Sequence, residues 1–216
     1  MTLIVACGLR REAAIVRKAC PDASVIVGGG DGERLERELT RQAASCPGLI
    51  LSFGLAGALS PNLRSGDLVI DGDPATVGQL RRAPPHAVAG PITGSGAIVV
   101  TAAAKQALRA TTGAVAVDME THIARRVAER HGLAFGVVRA ISDAADETLP
   151  PAALVGMRSD GGIAIGAVLA SILRNPAQLR VLIRTGIHAE RAFRTLSVAA
   201  GALSALDQIT RRAGPV

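Results

Sequence analysis

Short apolar runs that break off at glycines or carboxylates, each followed by a stretch of helical spacing, restrict this chain to an alternating strand-helix architecture. Thr2–Cys7 reads as a buried strand, followed by Gly8 and a helix over Arg10–Ala19. Ser24–Val27 is a second strand, ending at Gly28-Gly29-Gly30-Asp31-Gly32, with a helix over residues 33–44. Residues 48–53 predict a third strand, broken by Gly54-Leu55-Ala56-Gly57, and residues 67–71 a fourth. Residues 72–94, rich in Gly and Pro, read as loop. Residues 98–101 read as a strand, 102–110 as a helix, and 114–117 as a strand running into a helix over 119–131. The last strand spans 134–141, and beyond Pro150-Pro151 the pattern is helical, with breaks at Gly161-Gly162 and Pro176. The expected fold is a single α/β domain with a central twisted sheet, largely parallel or mixed, flanked by helices and carrying a basic C-terminal helical tail.

The 216 residues suffice to bury a substantial core, and 49% of them are hydrophobic. Phe53, Phe135 and Phe193 are the only aromatic residues, so Ala, Val, Leu and Ile must fill the interior, and a planar ligand has only Phe53 or a Met to stack on. Lys18 and Lys105 are the only lysines among 24 basic residues. The net charge of +6 sits mainly in the tail, where seven Arg from Arg174 onward face Glu190 and Asp207. The remainder is near neutral and lacks basic clusters interleaved with aromatics, which argues against a nucleic-acid partner. Cys7, Cys20 and Cys46 are odd in number, have no metal or CxxC spacing and fit a reduced interior. His86, His122, His131 and His188 are scattered, and no metal or organic cofactor is implied. No segment approaches the ~20 apolar residues needed to span a bilayer. The expected location is cytoplasmic.

Polar constellations fall at strand ends, where open α/β sheets bind ligands. Val137-Val138-Arg139-Ala140-Ile141 empties into Ser142-Asp143, read as a turn. A carboxylate there can do acid chemistry, since apolar surroundings favour its protonated form, or it can simply cap a helix. Arg10-Arg11-Glu12 opens the first helix, either as a solvated first turn or as a charged site. The backbone of Gly28–Gly32 could cradle an anion, including Gly29 and Gly30, though it lacks a dinucleotide fingerprint. Phe53-Gly54-Leu55-Ala56-Gly57 would let a flat ligand approach the backbone, or would pack a tight turn. In Val117-Asp118-Met119-Glu120 a carboxylate could take a ligand's diol, while Asp118 fits a plain N-cap.

Together these motifs resemble the purine nucleoside phosphorylase superfamily, in the branch of the methylthioadenosine/S-adenosylhomocysteine nucleosidases. Gly8-Leu9-Arg10-Arg11-Glu12, Phe53-Gly54-Leu55-Ala56-Gly57, Gly66-Asp67-Leu68-Val69, Val117-Asp118-Met119-Glu120 and Val138-Arg139-Ala140-Ile141-Ser142-Asp143 occur in the family's order across roughly residues 1–150. The resemblance implies cleavage of an N-glycosidic bond with release of adenine. It assigns Asp143, supported by Ser142, to the purine N7. Glu120 would hold the ribose hydroxyls, Met119 the underside of the sugar, and Glu12 the attacking water. Ile98 and Val99 would line the base pocket, and Ala56, Gly57 and Phe53 are further candidates for contact with the substrate. Arg10, Arg11, Gly29 and Gly30 could instead bind phosphate as a co-substrate, leaving water and phosphate both open as nucleophile. The chain departs from the family at Asp118, which replaces a Glu, and at Leu55, where a small polar residue is usual. Its short 72–94 connection implies a more open pocket around the 5′ carbon.

In the tail, Leu179, Leu182, Gly186, Ala189, Phe193, Leu196 and Ala200 form one apolar stripe, opposite Arg180, Arg184, His188, Arg191 and Arg194. Such a helix either packs on its own domain or a subunit, or lies on an anionic membrane. With Leu173-Arg174-Asn175-Pro176-Ala177-Gln178-Leu179 it resembles the hopanoid-associated phosphorylases, which implies adenosylhopane as substrate and a role in hopanoid biosynthesis. The sequence divides into residues 1–173, the phosphorylase-like domain, and 174–216, the extension. The expected partners are a small adenine nucleoside, lipid-linked in the adenosylhopane case, the inner membrane periphery, and further copies of the chain. A methylthioadenosine or S-adenosylhomocysteine nucleosidase, or a purine nucleoside phosphorylase, is the alternative within the class. A non-catalytic nucleotide- or lipid-binding protein is the alternative outside it.

Overall fold

The computed structural model describes residues 2–45, 48–81, 86–154, 161–162 and 164–212, so Cys46 lies outside the described residues. Strands β1 (Thr2–Cys7), β2 (Ser24–Val27), β3 (Gly48–Ala58), β4 (Leu68–Gly72), β5 (Val88–Ala89), β6 (Ile92–Gly94), β7 (Ala116–Asp118) and β8 (Ala134–Asp143) form one mixed sheet. Its main order is β2-β1-β3-β8-β4-β5, with β1, β2, β3 and β8 mutually parallel and β4 antiparallel to β8. β7 pairs antiparallel with the last residues of β3, and β6 extends the sheet beside it.

The helices are α1 (Arg10–Ala19), α2 (Gly32–Ser45), α3 (Pro74–Leu80), α4 (Ala102–Thr112), α5 (Thr121–His131), α6 (Pro151–Leu154), α7 (Ile165–Arg174) and α8 (Leu179–Arg212). Alternation along β3 sends Leu49, Leu51 and Phe53 to one face of the sheet, where they meet Ala13 and Val16 of α1 and Phe193, Leu196 and Leu203 of α8. Ile50, Ala56 and Ala58 go to the other face, against Leu35 and Leu39 of α2 and Ile123 and Val127 of α5. Because helices cover both faces, β1 and the first half of β3 carry uninterrupted apolar runs.

Four elements differ from the sequence expectation. β3 does not break at Gly54; it continues to Ala58, because β8 and then β7 pair with this stretch and satisfy its backbone. Ser142 and Asp143 are the last residues of β8, not a turn, since Gly57 pairs with Asp143 beyond a register shift at Ala56/Gly57. Residues 72–94 are not simply loop: they hold α3, opened by Pro74 after Asp73, together with β5 and β6. Residues 98–101 form no strand, and Thr101 instead caps α4, accepting the Ala104 N–H at 3.1 Å.

The long C-terminal helix belongs to the same core as the sheet over its second half. Ala192, Phe193, Leu196, Ala199, Ala200 and Leu203 are buried, as the stripe from Phe193 to Ala200 suggested. Its first half is different. Leu179 is exposed, contrary to its place in the predicted stripe, and so are Ile183 and Ile187. Among the described residues, no helix is long and apolar enough to cross a membrane.

Candidate functional site

The parallel strands β1, β3 and β8 end on one rim of the sheet, and β7 is delivered to that rim by its pairing with Gly57 and Ala58. This rim collects the charged residues that the chain otherwise keeps on its surface. Arg139 lies in the middle of β8, opposite Gly54 of β3, and is fully buried. Its Nε is 2.5 Å from Asp118 Oδ2, an ion pair without aligned hydrogen-bond geometry. Its Nη2 donates to Ser52 Oγ at 2.6 Å and to Glu120 Oε2 at 3.3 Å. Asp118 also holds the start of α5 from two residues before its N-cap Glu120: Oδ1 accepts the Thr121 N–H at 2.9 Å, and Thr121 Oγ1 donates to Oδ2. Asp118 is therefore not the N-cap that the sequence suggested; it takes the first helical N–H while pairing with Arg139. Asp118 and Glu120 precede the helix, so helical spacing does not keep them apart, and both reach one guanidinium.

Glu12 folds back over the start of α1. Oε2 accepts the Gly8 and Leu9 N–H groups at 2.8 Å each, and Oε1 accepts the Leu55 N–H at 2.8 Å. One carboxylate thus ties the end of β1 to β3 and covers donors that a helix N-terminus leaves open. Gly54 is needed here, since a Cβ would sit 2.5 Å from Arg139 Nη1 and 2.6 Å from the Glu12 carboxylate. Burial pushes Glu12 above its usual range, against the pull of Arg139 and the three N–H groups. Glu120 is pushed up to about 7 by burial, with Asp118 and Glu12 adding repulsion and Arg139 opposing. Three buried carboxylates around one guanidinium leave an excess of negative charge if all ionise, so the cluster retains a proton near neutrality. Cys7 beneath them is a neutral thiol, its pKa raised by burial and by Glu12.

Asp143 occupies the same rim at the end of β8. Ser142 Oγ lies 2.6 Å from its Oδ1, and Lys105 Nζ from α4 lies 2.5 Å from its Oδ2. A Cβ on Gly57 would be 3.0 Å from that second oxygen, so the glycine lets the carboxylate lie against β3. Met119 is half-buried and lines a cleft with Glu120, Gly28, Gly30, Asp31 and His122.

The structure thus brings Glu12, Glu120, Asp143, Ser142, Met119, Gly57 and Gly30 to one rim. Ala56 is buried within the core below it, and its carbonyl lies 3.3 Å from Ser142 Oγ. Phe53 is not available as a base platform: it is fully buried on the opposite face, because its position in β3 has the parity of Leu49 and Leu51. Val99 packs against Leu59, Ala114 and Val117, and Ile98 is half-buried in the same connection. Arg11 turns away from the rim, paired with Glu190 at 2.7 Å and lying over the Phe193 ring at 4.0 Å. Arg10 is exposed, and Gly29 spends its N–H on the Gly8 carbonyl. Sequence reasoning missed Arg139 and Lys105 as site residues. A charge in the centre of an apolar strand was the signal for the first, and a rare lysine in an Arg-rich chain for the second. Among the described residues, no group of His, Cys, Asp or Glu is arranged to hold a metal.

Comparison with known proteins adds to this geometry. A family profile described as Phosphorylase superfamily matches residues 71–174. No curated protein matches the chain in sequence. Among solved structures, the chain is similar to a Streptococcus pneumoniae methylthioadenosine/S-adenosylhomocysteine nucleosidase in complex with 8-aminoadenine, at 16% identity and TM-score 0.65, covering 95% of this chain and 100% of that one. It is similar to a Helicobacter pylori nucleosidase of the same kind, at 14% identity and TM-score 0.67, covering 97% and 98%. A futalosine hydrolase mutant from Helicobacter pylori matches at 15% identity and TM-score 0.63, covering 92% and 98%. At these identities the likeness establishes the fold, which is that of the nucleosidases.

Proposed function

We propose, from the Phosphorylase superfamily match over residues 71–174 and the nucleosidase fold, that this chain is an enzyme that hydrolyses the N-glycosidic bond of an adenine nucleoside. The observation that carries the proposal is the meeting of Glu12, Glu120 and Asp143 on one rim, each buried and each held by specific partners. Glycosidic cleavage builds positive charge on the sugar and negative charge on the leaving base. It therefore needs carboxylates on the sugar side and a hydrogen-bonding or protonating group on the base side. Glu12 and Glu120 supply the first, the former beside the attacking water and the latter on the ribose hydroxyls. Asp143 with Ser142 supplies the second at N7.

Water is the better-supported nucleophile. Arg139 is already engaged with Asp118 and Glu120, and Arg11 with Glu190 and Phe193, so neither offers an open cation to phosphate. A phosphate dianion would also face a cluster in which Glu12, Asp118 and Glu120 outnumber the single guanidinium even with one proton retained. Glu12 Oε1 accepts a single N–H and keeps a lone pair for water.

We propose adenosylhopane as the nucleoside, with methylthioadenosine and S-adenosylhomocysteine as the second reading. The first is supported by the exposed apolar residues Leu173, Leu179, Ile183 and Ile187, which stand among Arg174, Arg180 and Arg184 and would suit the surface of an anionic membrane. The second is supported by the fold shared with nucleosidases for those compounds. Adenine release from adenosylhopane, methylthioadenosine and adenosine, with and without phosphate, tests both points. The expected result is release unaffected by phosphate and fastest from adenosylhopane. A strict phosphate requirement would overturn hydrolysis.

A further inference from the structure

We infer that Lys105 is a positioning residue that sets the Asp143 carboxylate for the leaving base, an inference that rests on reading Asp143 as the base-side group. Lys105 is fully buried, and its ammonium reaches Asp143 Oδ2 at 2.5 Å, the Ala144 carbonyl at 2.8 Å and the Glu147 carbonyl at 2.9 Å. An ammonium has three donors, and all three are used, so its direction is fixed. The arrangement suits lysine in particular. A compact head with three diverging donors fits one carboxylate and two carbonyls, whereas a planar guanidinium fork does not. This explains a lysine here in a chain that otherwise draws almost all its positive charge from arginine.

Stability alone does not account for the pair, because a buried ion pair contributes little beyond a well-packed apolar pair of the same volume. The effect on Asp143 does. Lys105 holds one carboxylate oxygen, the Ser142 hydroxyl holds the other, and Gly57 leaves room for the group to lie flat against β3. Rotation of the carboxylate is blocked, while each oxygen retains a lone pair for an N–H of adenine, either the 6-amino group or the N7–H that forms when N7 takes a proton from solvent as the base leaves. The two carbonyl bonds extend the support to residues 144–147, where Glu147 Oε2 also accepts the Ala144 N–H at 3.0 Å. The same Glu147 carboxylate is reached by Arg184 and His188 of α8. The base-side group is thus buttressed from α4 and, through its own loop, from α8.

The test compares adenosine, whose base leaves poorly without a proton or hydrogen bond, with p-nitrophenyl riboside, whose phenolate leaves unaided. In K105M, kcat on adenosine should fall about 100-fold or more, the lower end of what a positioned acid-base group supplies. KM should change little, and the rate on p-nitrophenyl riboside should stay near wild type. K105R should fail to restore adenosine cleavage. Equal losses on both substrates, or no loss on adenosine, would overturn the inference. K105M/D143N, which removes both buried charges together, guards against misfolding of the single variant: it should be no slower on adenosine than D143N, and a further loss would mean that Lys105 acts elsewhere. A wild-type enzyme that releases no adenine would instead overturn the proposed function itself.

Discussion

At the scale of single residues, the site is governed by one guanidinium placed where a strand would ordinarily carry an aliphatic side chain. Arg139 balances Asp118 and Glu120 directly and stands beside Glu12 across Gly54. Three carboxylates against one cation make the cluster pH-sensitive, and the sign follows from Glu120. Its pKa in the fold, about 7, lies above the ordinary value of 4.5, so the folded protein keeps a proton that the unfolded chain has already released in that interval. The stabilising contribution is complete below the unfolded value and is lost as pH rises through the folded one. Urea unfolding midpoints should therefore fall between pH 5 and pH 8, and E120Q should show a smaller fall. Glu12, shifted in the same direction, adds to the fall. Equal falls in the two proteins would mean that Glu120 titrates normally.

At the scale of elements, β3 and β8 carry the buried polar rim, and α8 packs on the sheet that bears it. The outer face of β8 meets the second half of α8, whose Leu196 is fully buried in the core shared with Phe53, Val138 and Ala140. L196A should cost about 2–5 kcal/mol, a large share of a typical domain's stability, and thermal unfolding would register it as a clear drop in Tm. A change under about 0.5 kcal/mol would place α8 outside the core. The boundaries of β1, α1 and β2 were legible in the sequence because apolar period and glycine punctuation coincide there. The course of β3 was not. Its glycines read as a break, yet they are present because Glu12, Arg139 and Asp143 press against the strand, a tertiary cause with no local signature. The same holds for residues 72–94, where Pro74 after Asp73 was the sole local sign of α3.

At the scale of the whole molecule, the fold places a buried, carboxylate-rich rim on a domain whose surface charge is positive, with the Arg-bearing half of α8 left open. If that half meets anionic lipid, wild-type protein should co-sediment with phosphatidylglycerol vesicles, and I183E/I187E should not, because both residues are exposed and their exchange leaves the core intact. Co-sedimentation unchanged by the substitutions would remove the membrane reading. The carboxylates of the site were legible as strand-end motifs, since Glu12, Glu120 and Asp143 all fall where an apolar run stops. Their supporting cations were not, because a lysine in α4 and an arginine inside β8 gain meaning only when the sheet closes around them.

The proposed function has this rim cleave an adenine nucleoside with Asp143 on the base side. The most direct measurement is the rate of adenine release by purified wild type and D143N in phosphate-free buffer, followed on adenosylhopane and methylthioadenosine. Wild type should release adenine without phosphate, and D143N should lose about 100-fold or more with the fold retained. Adenine release by D143N at the wild-type rate would contradict it.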